Sequence, residues 1–141
     1  MPQPIILLVE DNPDDEALTK RAFTKNNIQC EVIVAHDGEE ALAFLFVEGS
    51  RADRRPTLIL LDLKLPKING QQVLERIRSN NMTHNIPVII MTSSREEQDI
   101  ITSYSNGANS YIAKPVDYNE FVEIIRLLAK YWLEVNIRSP E

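Results

Sequence analysis

The sequence predicts a doubly wound α/β domain, a five-stranded parallel sheet with five helices on its two faces. Three observations carry this. Short runs rich in Ile, Val and Leu alternate five times with amphipathic stretches, which is the pattern of repeated βα units. The runs mostly lack a polar residue at every second position, as strands do when both faces are covered. The length, 141 residues, suits one such domain, whose core needs neither metal nor disulfide.

The predicted strands are Ile5–Val9, Glu31–Ala35, Leu58–Leu61, Val88–Met91 and Ser110–Ala113. Between them the helices announce their starts. Asn12-Pro13 is an N-cap followed by proline at the first helical position, with Asp14, Asp15 and Glu16 in the electropositive first turn. Asp37-Gly38 opens the second helix, Gly70 the third and Ser94 the fourth. Asp117 with Glu120 three residues on reads as a capping box for the fifth. Right-handed crossovers then place helices on both faces, and the functional crevice lies beyond the carboxyl ends of the strands. The stretch Glu48–Thr57, with Arg51, Arg54 and Arg55, is a basic excursion between the second helix and third strand. It reads as a solvated loop or as a partner contact.

Composition excludes several classes. The net charge is −6 and the pI about 5.0, whereas a direct nucleic-acid binder needs a surplus of Lys and Arg facing the phosphates. No apolar run approaches the ~20 residues needed to cross a bilayer, and Ile5–Val9 lacks the basic lead-in of a signal peptide. Cys30 is the only cysteine, so no internal disulfide forms; it reads as a buried structural thiol. A cytoplasmic protein is expected, with neither nucleic acid nor membrane as partner.

The residues at the strand ends are the strongest functional signal. Glu10 and Asp11 follow the first strand, Asp62 the third, Thr92 and Ser93 close the fourth, and Lys114-Pro115 the fifth. Taken singly each has an ordinary explanation: helix caps, a backbone-satisfying hydroxyl, a solvated lysine. Together the topology forces them onto one edge. Three carboxylates in one place repel and raise one another's pKa unless a cation neutralises them. Singly offered oxygen ligands with room for water suit Mg²⁺. An ion, Lys114 and the Thr92 hydroxyl would then share charge on a phosphoryl group while Asp62 attacks in line. A cis bond before Pro115 would be tolerable and could aim the lysine inward, but the sequence leaves the isomer open.

With these residues in view, the chain resembles the receiver domain of two-component response regulators over essentially its whole length. The matching motifs are Leu8-Val9-Glu10-Asp11-Asn12, Leu61-Asp62-Leu63-Lys64-Leu65-Pro66 with Asn69-Gly70, Met91-Thr92-Ser93 and Tyr111-Ile112-Ala113-Lys114-Pro115. The resemblance implies the flavodoxin-like strand order 2-1-3-4-5 and Asp62 as the phosphoacceptor. It implies Mg²⁺, with Mn²⁺ or Ca²⁺ as substitutes, held by Asp11, Asp62 and the main-chain carbonyl of Lys64, and reached by Glu10 directly or through water. Thr92 would bond the phosphoryl oxygen, Lys114 would pair with it, and Tyr111 would be the aromatic switch that follows Thr92. Two departures stand out: Glu10-Asp11 replaces the commoner Asp-Asp, and Lys64 places a cation at the mouth of the site. The Glu48–Thr57 excursion and the ending Leu128–Leu133 are similar to stand-alone regulators paired with bacterial and cyanobacterial phytochromes. A histidine kinase is the implied partner, and the narrower resemblance implies one of phytochrome type.

Residues 1–141 are thus expected to form one receiver domain with no separate effector domain. Output would pass through contact with another protein, and enzymatic activity would be limited to the domain's own phosphorylation and dephosphorylation. The fifth helix has an unusually wide apolar face. Phe121, Ile125, Leu128 and Trp132 make one stripe, while Ile124, Leu127, Tyr131 and Val135 extend it to one side. The surplus favours a symmetric homodimer through Ile124, Leu127 and Tyr131, with coverage by the tail 136–141 as the alternative.

Three rival functions fit less well. An aspartyl phosphatase of the haloacid-dehalogenase type needs a second Asp where Lys64 stands. A flavodoxin needs a hydroxyl- and glycine-rich phosphate loop where Glu10-Asp11 would repel phosphate. A scaffold with a vestigial site leaves the complete constellation unexplained.

Overall fold

The structure, a computed structural model, describes residues 3–140. Five strands, β1 (Ile5–Val9), β2 (Glu31–Ala35), β3 (Leu58–Leu61), β4 (Val88–Thr92) and β5 (Ser110–Ala113), form one sheet in the order β2-β1-β3-β4-β5. All four pairings are parallel. The helices are α1 (Pro13–Lys25), α2 (Gly38–Phe46), α3 (Gly70–Arg78), α4 (Glu97–Ser105) and α5 (Tyr118–Ala129), the last continuing into a π-helical segment, Lys130–Val135. No helix among the described residues is long and apolar enough to cross a membrane.

Strand alternation divides the apolar residues into two cores. Leu7, Val9, Ile59, Leu61, Val88 and Ile90 face α2 and α3, where Leu42, Leu45, Val73, Leu74 and Ile77 complete one buried cluster. Ile6, Leu8, Leu58, Leu60, Ile89 and Met91 face α1 and α5, packing on Phe23, Phe121, Ile125 and Leu128. Every residue of β1, β3 and β4 is buried, which is why their sequences are continuous apolar runs rather than alternating ones. The Cys30 thiol lies half-buried against the second core, and burial pushes its pKa up to about 11.

Caps follow the sequence at α1, where the Asn12 side chain accepts from the N–H groups of Asp14 and Asp15, and at α2, where Asp37 accepts from Glu40. Asp117 likewise accepts from the Glu120 N–H. A capping box with both bonds made stands at α3, between Asn69 and Gln72. The fourth helix departs from expectation. It begins at Glu97 with Glu96 as a cap that makes no side-chain bond, so Ser94 belongs to the preceding loop rather than to the helix start.

The basic excursion folds back on the protein as two short 3₁₀ turns, Glu48–Ser50 and Ala52–Arg54. Arg54 forks onto the Glu31 carboxylate at 2.9 and 3.2 Å, and Arg51 meets Asp53 at 3.4 Å. The charges of Arg51 and Arg54 thus serve internal pairs. Arg78, at the end of α3, is the other guanidinium hub. It donates to the carbonyls of Gly107, His84 and Ile86 and to the Asn109 side chain, tying the α3–β4 and α4–β5 loops together with no carboxylate partner among the described residues.

Candidate functional site

The last rungs of the sheet aim the functional residues. The N–H of Glu10 donates to the Ala35 carbonyl at 2.9 Å, that of Asp62 to Val9 at 3.1 Å, and that of Lys114 to Thr92 at 2.7 Å. Each residue is therefore pinned by a neighbouring strand one position beyond its own ladder, where side chains leave the sheet at its carboxyl edge. The 62–70 loop is folded tightly behind Asp62. The Gly70 N–H donates to Leu63 O, and a side chain at Gly70 would place its Cβ 2.3 Å from the Asp62 carbonyl oxygen, so only glycine fits.

The expected convergence is present. Oxygens of Glu10, Asp11 and Asp62 lie within 4.8 Å of one another. Glu10 and Asp62 are buried, 3% and 8% exposed, whereas Asp11 is exposed and open to water. The Lys114 ammonium donates to Glu10 Oε1 at 2.6 Å, Asp15 Oδ2 at 2.8 Å and Asp62 Oδ2 at 3.0 Å. The Lys64 N–H points at Asp62 Oδ1, 3.3 Å away, and the Lys64 side chain is exposed at the mouth. The Lys114–Pro115 bond is trans, and there is no cis peptide among the described residues.

Burial sets the proton balance. Desolvation raises the Glu10 carboxyl to about 7, against the pull of Lys114 and of the Asn12 N–H, while the Asp62 charge pushes the same way as burial. Burial alone would lower the Lys114 pKa, but its bonds to Asp15 and Glu10 and the charge of Asp62 outweigh this and move it upward. Lys114 thus stays an ammonium. Clustered hard oxygen donors beside solvent, with excess negative charge, fit a divalent cation.

Thr92 is buried at the end of β4, and its Oγ1 lies 3.4 Å from the Ser94 N–H. Tyr111 is half-buried on β5, its hydroxyl donating to the Ser94 carbonyl at 2.9 Å. Burial, the largest influence, raises its pKa. Ser94 Oγ in turn donates to Asp99 Oδ2 in the first turn of α4. Further along α4, Ser103 Oγ, bonded to the Asp99 carbonyl, receives the Gln71 amide of α3. Every site residue predicted from the sequence at the strand ends lies at this edge. Two residues were missed as parts of it: Asp15, read only as a helix-dipole acid, and Ser94, read only as a helix opener.

On α5 the dimer candidates separate. Leu127 and Tyr131 are 53% and 48% exposed, while Ile124 is half-buried against the core that faces α1 and α5. The tail does not cover Leu127 and Tyr131. Arg138 instead donates to the Thr57 hydroxyl at 3.1 Å, at the opposite edge of the sheet. A cleft of about 1150 Å³ there, lined by Trp132, Arg55 and Arg138 and with no carboxylate side chain among the described residues that line it, is remote from the acidic site.

Comparison with known proteins agrees with this geometry. The chain is 38% identical to the response regulator Rcp1 of Synechocystis sp. over 134 residues, covering 94% of this chain and 91% of Rcp1. The Mn²⁺-bound form of Rcp1 superposes with a TM-score of 0.85 at 36% identity, over 96% of this chain and 99% of that one. The phosphorylated cyanobacterial phytochrome response regulator RcpA has a TM-score of 0.89 at 38% identity, over 99% of both chains. The bacteriophytochrome response regulator AtBRR is 46% identical with a TM-score of 0.73, over 96% of this chain and 99% of that one. The family described as the response regulator receiver domain matches residues 6–126. With its sheet order, its acidic strand-end cluster and this match in hand, the chain belongs to the response regulator receiver domains of two-component signalling.

Proposed function

We propose that Asp62 accepts a phosphoryl group from a histidine kinase, with Mg²⁺ held by Glu10, Asp11, Asp62 and the Lys64 carbonyl. The observation that carries this is the Lys114 ammonium 3.0 Å from the Asp62 carboxylate, beside two further carboxylates at one sheet edge. A bound divalent ion would neutralise the equatorial oxygens of the transferring group. Asp62 supplies the attacking oxygen. The new O–P bond forms as the P–N bond of the phosphohistidine breaks, and its electron pair returns to the imidazole ring. Lys114 balances phosphoryl charge from the side of β5, and the Thr92 hydroxyl supplies a donor from β4. The likeness to RcpA, Rcp1 and AtBRR supports a phytochrome-type kinase as the donor.

The phosphoryl group adds about −1.5 to −2 charges at the sheet edge. Thr92, Ser94 and Tyr111 adjoin one another there, so output is read at the α4–β5 face by contact with another protein, and the domain's chemistry is confined to its own Asp62. We further infer a homodimer through α5, supported by the exposed Leu127 and Tyr131.

Phosphotransfer from an autophosphorylated phytochrome-type kinase tests the central step. Wild-type protein should gain a hydroxylamine-sensitive label only with Mg²⁺ present, and Asp62→Asn should gain none. Label persisting in that variant would overturn the assignment.

A further inference from the structure

The site holds one carboxylate to which the resemblance gives no role. The Lys114 ammonium has three N–H donors, and it has three carboxylate partners: Glu10 Oε1 at 2.6 Å, Asp15 Oδ2 at 2.8 Å and Asp62 Oδ2 at 3.0 Å. A phosphoryl group on Asp62 brings three more acceptor oxygens to the same ammonium. Pairing Lys114 with one of them requires that an existing bond be given up.

The three partners differ in what their release costs. Glu10 is 3% exposed, so water could not take the place of the ammonium at its oxygen. Asp62 is the acceptor and stays joined to the incoming group. Asp15 stands outside the Glu10–Asp11–Asp62 cluster, its side chain is 32% exposed, and it sits in the first turn of α1, where the helix dipole favours a carboxylate. Water can take over its solvation, so its bond is the cheapest to release.

We propose that Asp15 is a resident counter-anion that occupies one Lys114 donor until the phosphoryl group displaces it. This rests on Asp62 being the phosphoacceptor. Two effects act with one sign: the Asp15 carboxylate competes for the Lys114 donor, and its charge repels the incoming dianion across a partly desolvated site. The start of α1 does not depend on its charge. The Asn12 side chain accepts from the main-chain N–H of Asp14 at 2.8 Å and of Asp15 at 3.1 Å, while Asp14 and Glu16 also place acid in the first turn. Asparagine at position 15 therefore removes the charge and keeps the shape.

The test uses the full chain with saturating Mg²⁺, beryllofluoride as the phosphoryl mimic followed by amide NMR, and acetyl phosphate as the donor, whose P–O bond breaks to release acetate as Asp62 is phosphorylated. Asp15→Asn should bind beryllofluoride roughly threefold to tenfold more tightly and lower the half-saturating acetyl phosphate concentration by a similar factor. Asp15→Glu, which restores the charge, should return both towards wild type. Unchanged or weaker binding in Asp15→Asn would overturn the proposal, and so would equal gains in both variants, since charge would then not be the cause. A loss of Mg²⁺ affinity beyond about tenfold would make Asp15 a cation ligand and overturn it too. If wild type shows neither beryllofluoride response nor Asp62-dependent label, the phosphoacceptor reading itself fails and this inference falls with it. A wild type that responds normally beside an unaltered Asp15→Asn removes this inference alone.

Discussion

Ser94 and Asp99 are joined by a 2.5 Å hydrogen bond that runs from the loop after β4 to the first turn of α4. Glu96, the cap of α4, makes no side-chain cap bond, and its own N–H donates to the Ser94 hydroxyl at 3.3 Å. Ser94 also touches Thr92 and Tyr111 through its main chain: its N–H faces Thr92 Oγ1 at 3.4 Å and its carbonyl receives the Tyr111 hydroxyl at 2.9 Å. Ser94→Ala should cost about 1.5–3 kcal/mol, the scale of a hydrogen bond to a charged group, and should lower hydrogen-exchange protection at the start of α4. Phosphorylation at Asp62 should persist while phosphorylation-dependent shifts on α4 shrink. Undiminished α4 shifts in the variant would show that Ser94 does not carry the signal.

Cation affinity should depend on pH through Glu10. Its carboxyl, raised to about 7 by burial, must lose its proton to serve a metal. Mg²⁺ affinity should therefore climb by up to about tenfold per pH unit below 7 and level off above it. Calorimetry in buffers of different ionisation enthalpy should detect proton release near pH 6.5. The stability sign is opposite. A group whose folded pKa lies above its unfolded value of 4.5 stabilises fully below that value and loses the contribution as pH rises through 7. Without cation the protein should thus unfold more readily at pH 8 than at pH 5.5 as far as Glu10 is concerned, and Glu10→Gln should flatten that slope.

Gly70→Ala should disturb the site without touching a charged group. The new Cβ would lie 2.3 Å from the Asp62 carbonyl oxygen and 2.6 Å from Leu63 Cα. Both are backbone atoms, so the loop must shift rather than a side chain. A loss of about 2–4 kcal/mol in denaturant unfolding is expected, together with weakened Mg²⁺ binding. Wild-type values for both would mean the loop has slack that the distances deny.

Self-association through α5 should respond to charge at its exposed positions. Leu127→Glu and Tyr131→Glu alter side chains 53% and 48% exposed, so the monomer fold should tolerate them within about 0.5 kcal/mol. Light scattering should show a dimer for wild type and a monomer for the double variant. A monomeric wild type at high concentration, with and without beryllofluoride, would remove the dimer.

The sheet was legible in the sequence because strands covered on both faces leave unbroken apolar blocks. All five begin where those blocks begin, and β4 runs one residue further, to Thr92. The convergence of charged residues was legible for a related reason: parallel topology puts all strand ends on one edge, so Glu10, Asp62 and Lys114 could be placed together without coordinates. Asp15 escaped because a first-turn acid already has a sufficient local reason to exist, and its partner lies 99 positions away. The start of α4 was misplaced because Ser94 has capping chemistry but spends its hydroxyl on Asp99. Nothing in the spacing of α3 indicates that Arg78 crosses to Gly107 and Ile86. Long, flexible cations reach partners that periodicity does not encode.

The hydrogen bonds that run one step past the ladders, from Glu10 to Ala35, Asp62 to Val9 and Lys114 to Thr92, make the acidic edge a gauge of strand alignment. A slip of one residue in β3 would turn Asp62 to the opposite face and scatter the oxygens. A divalent ion held there would bind only the correctly registered sheet, and by mass action it would favour that arrangement over misaligned ones by RT ln(1 + [ion]/Kd). Such an ion would proofread the folding of the sheet.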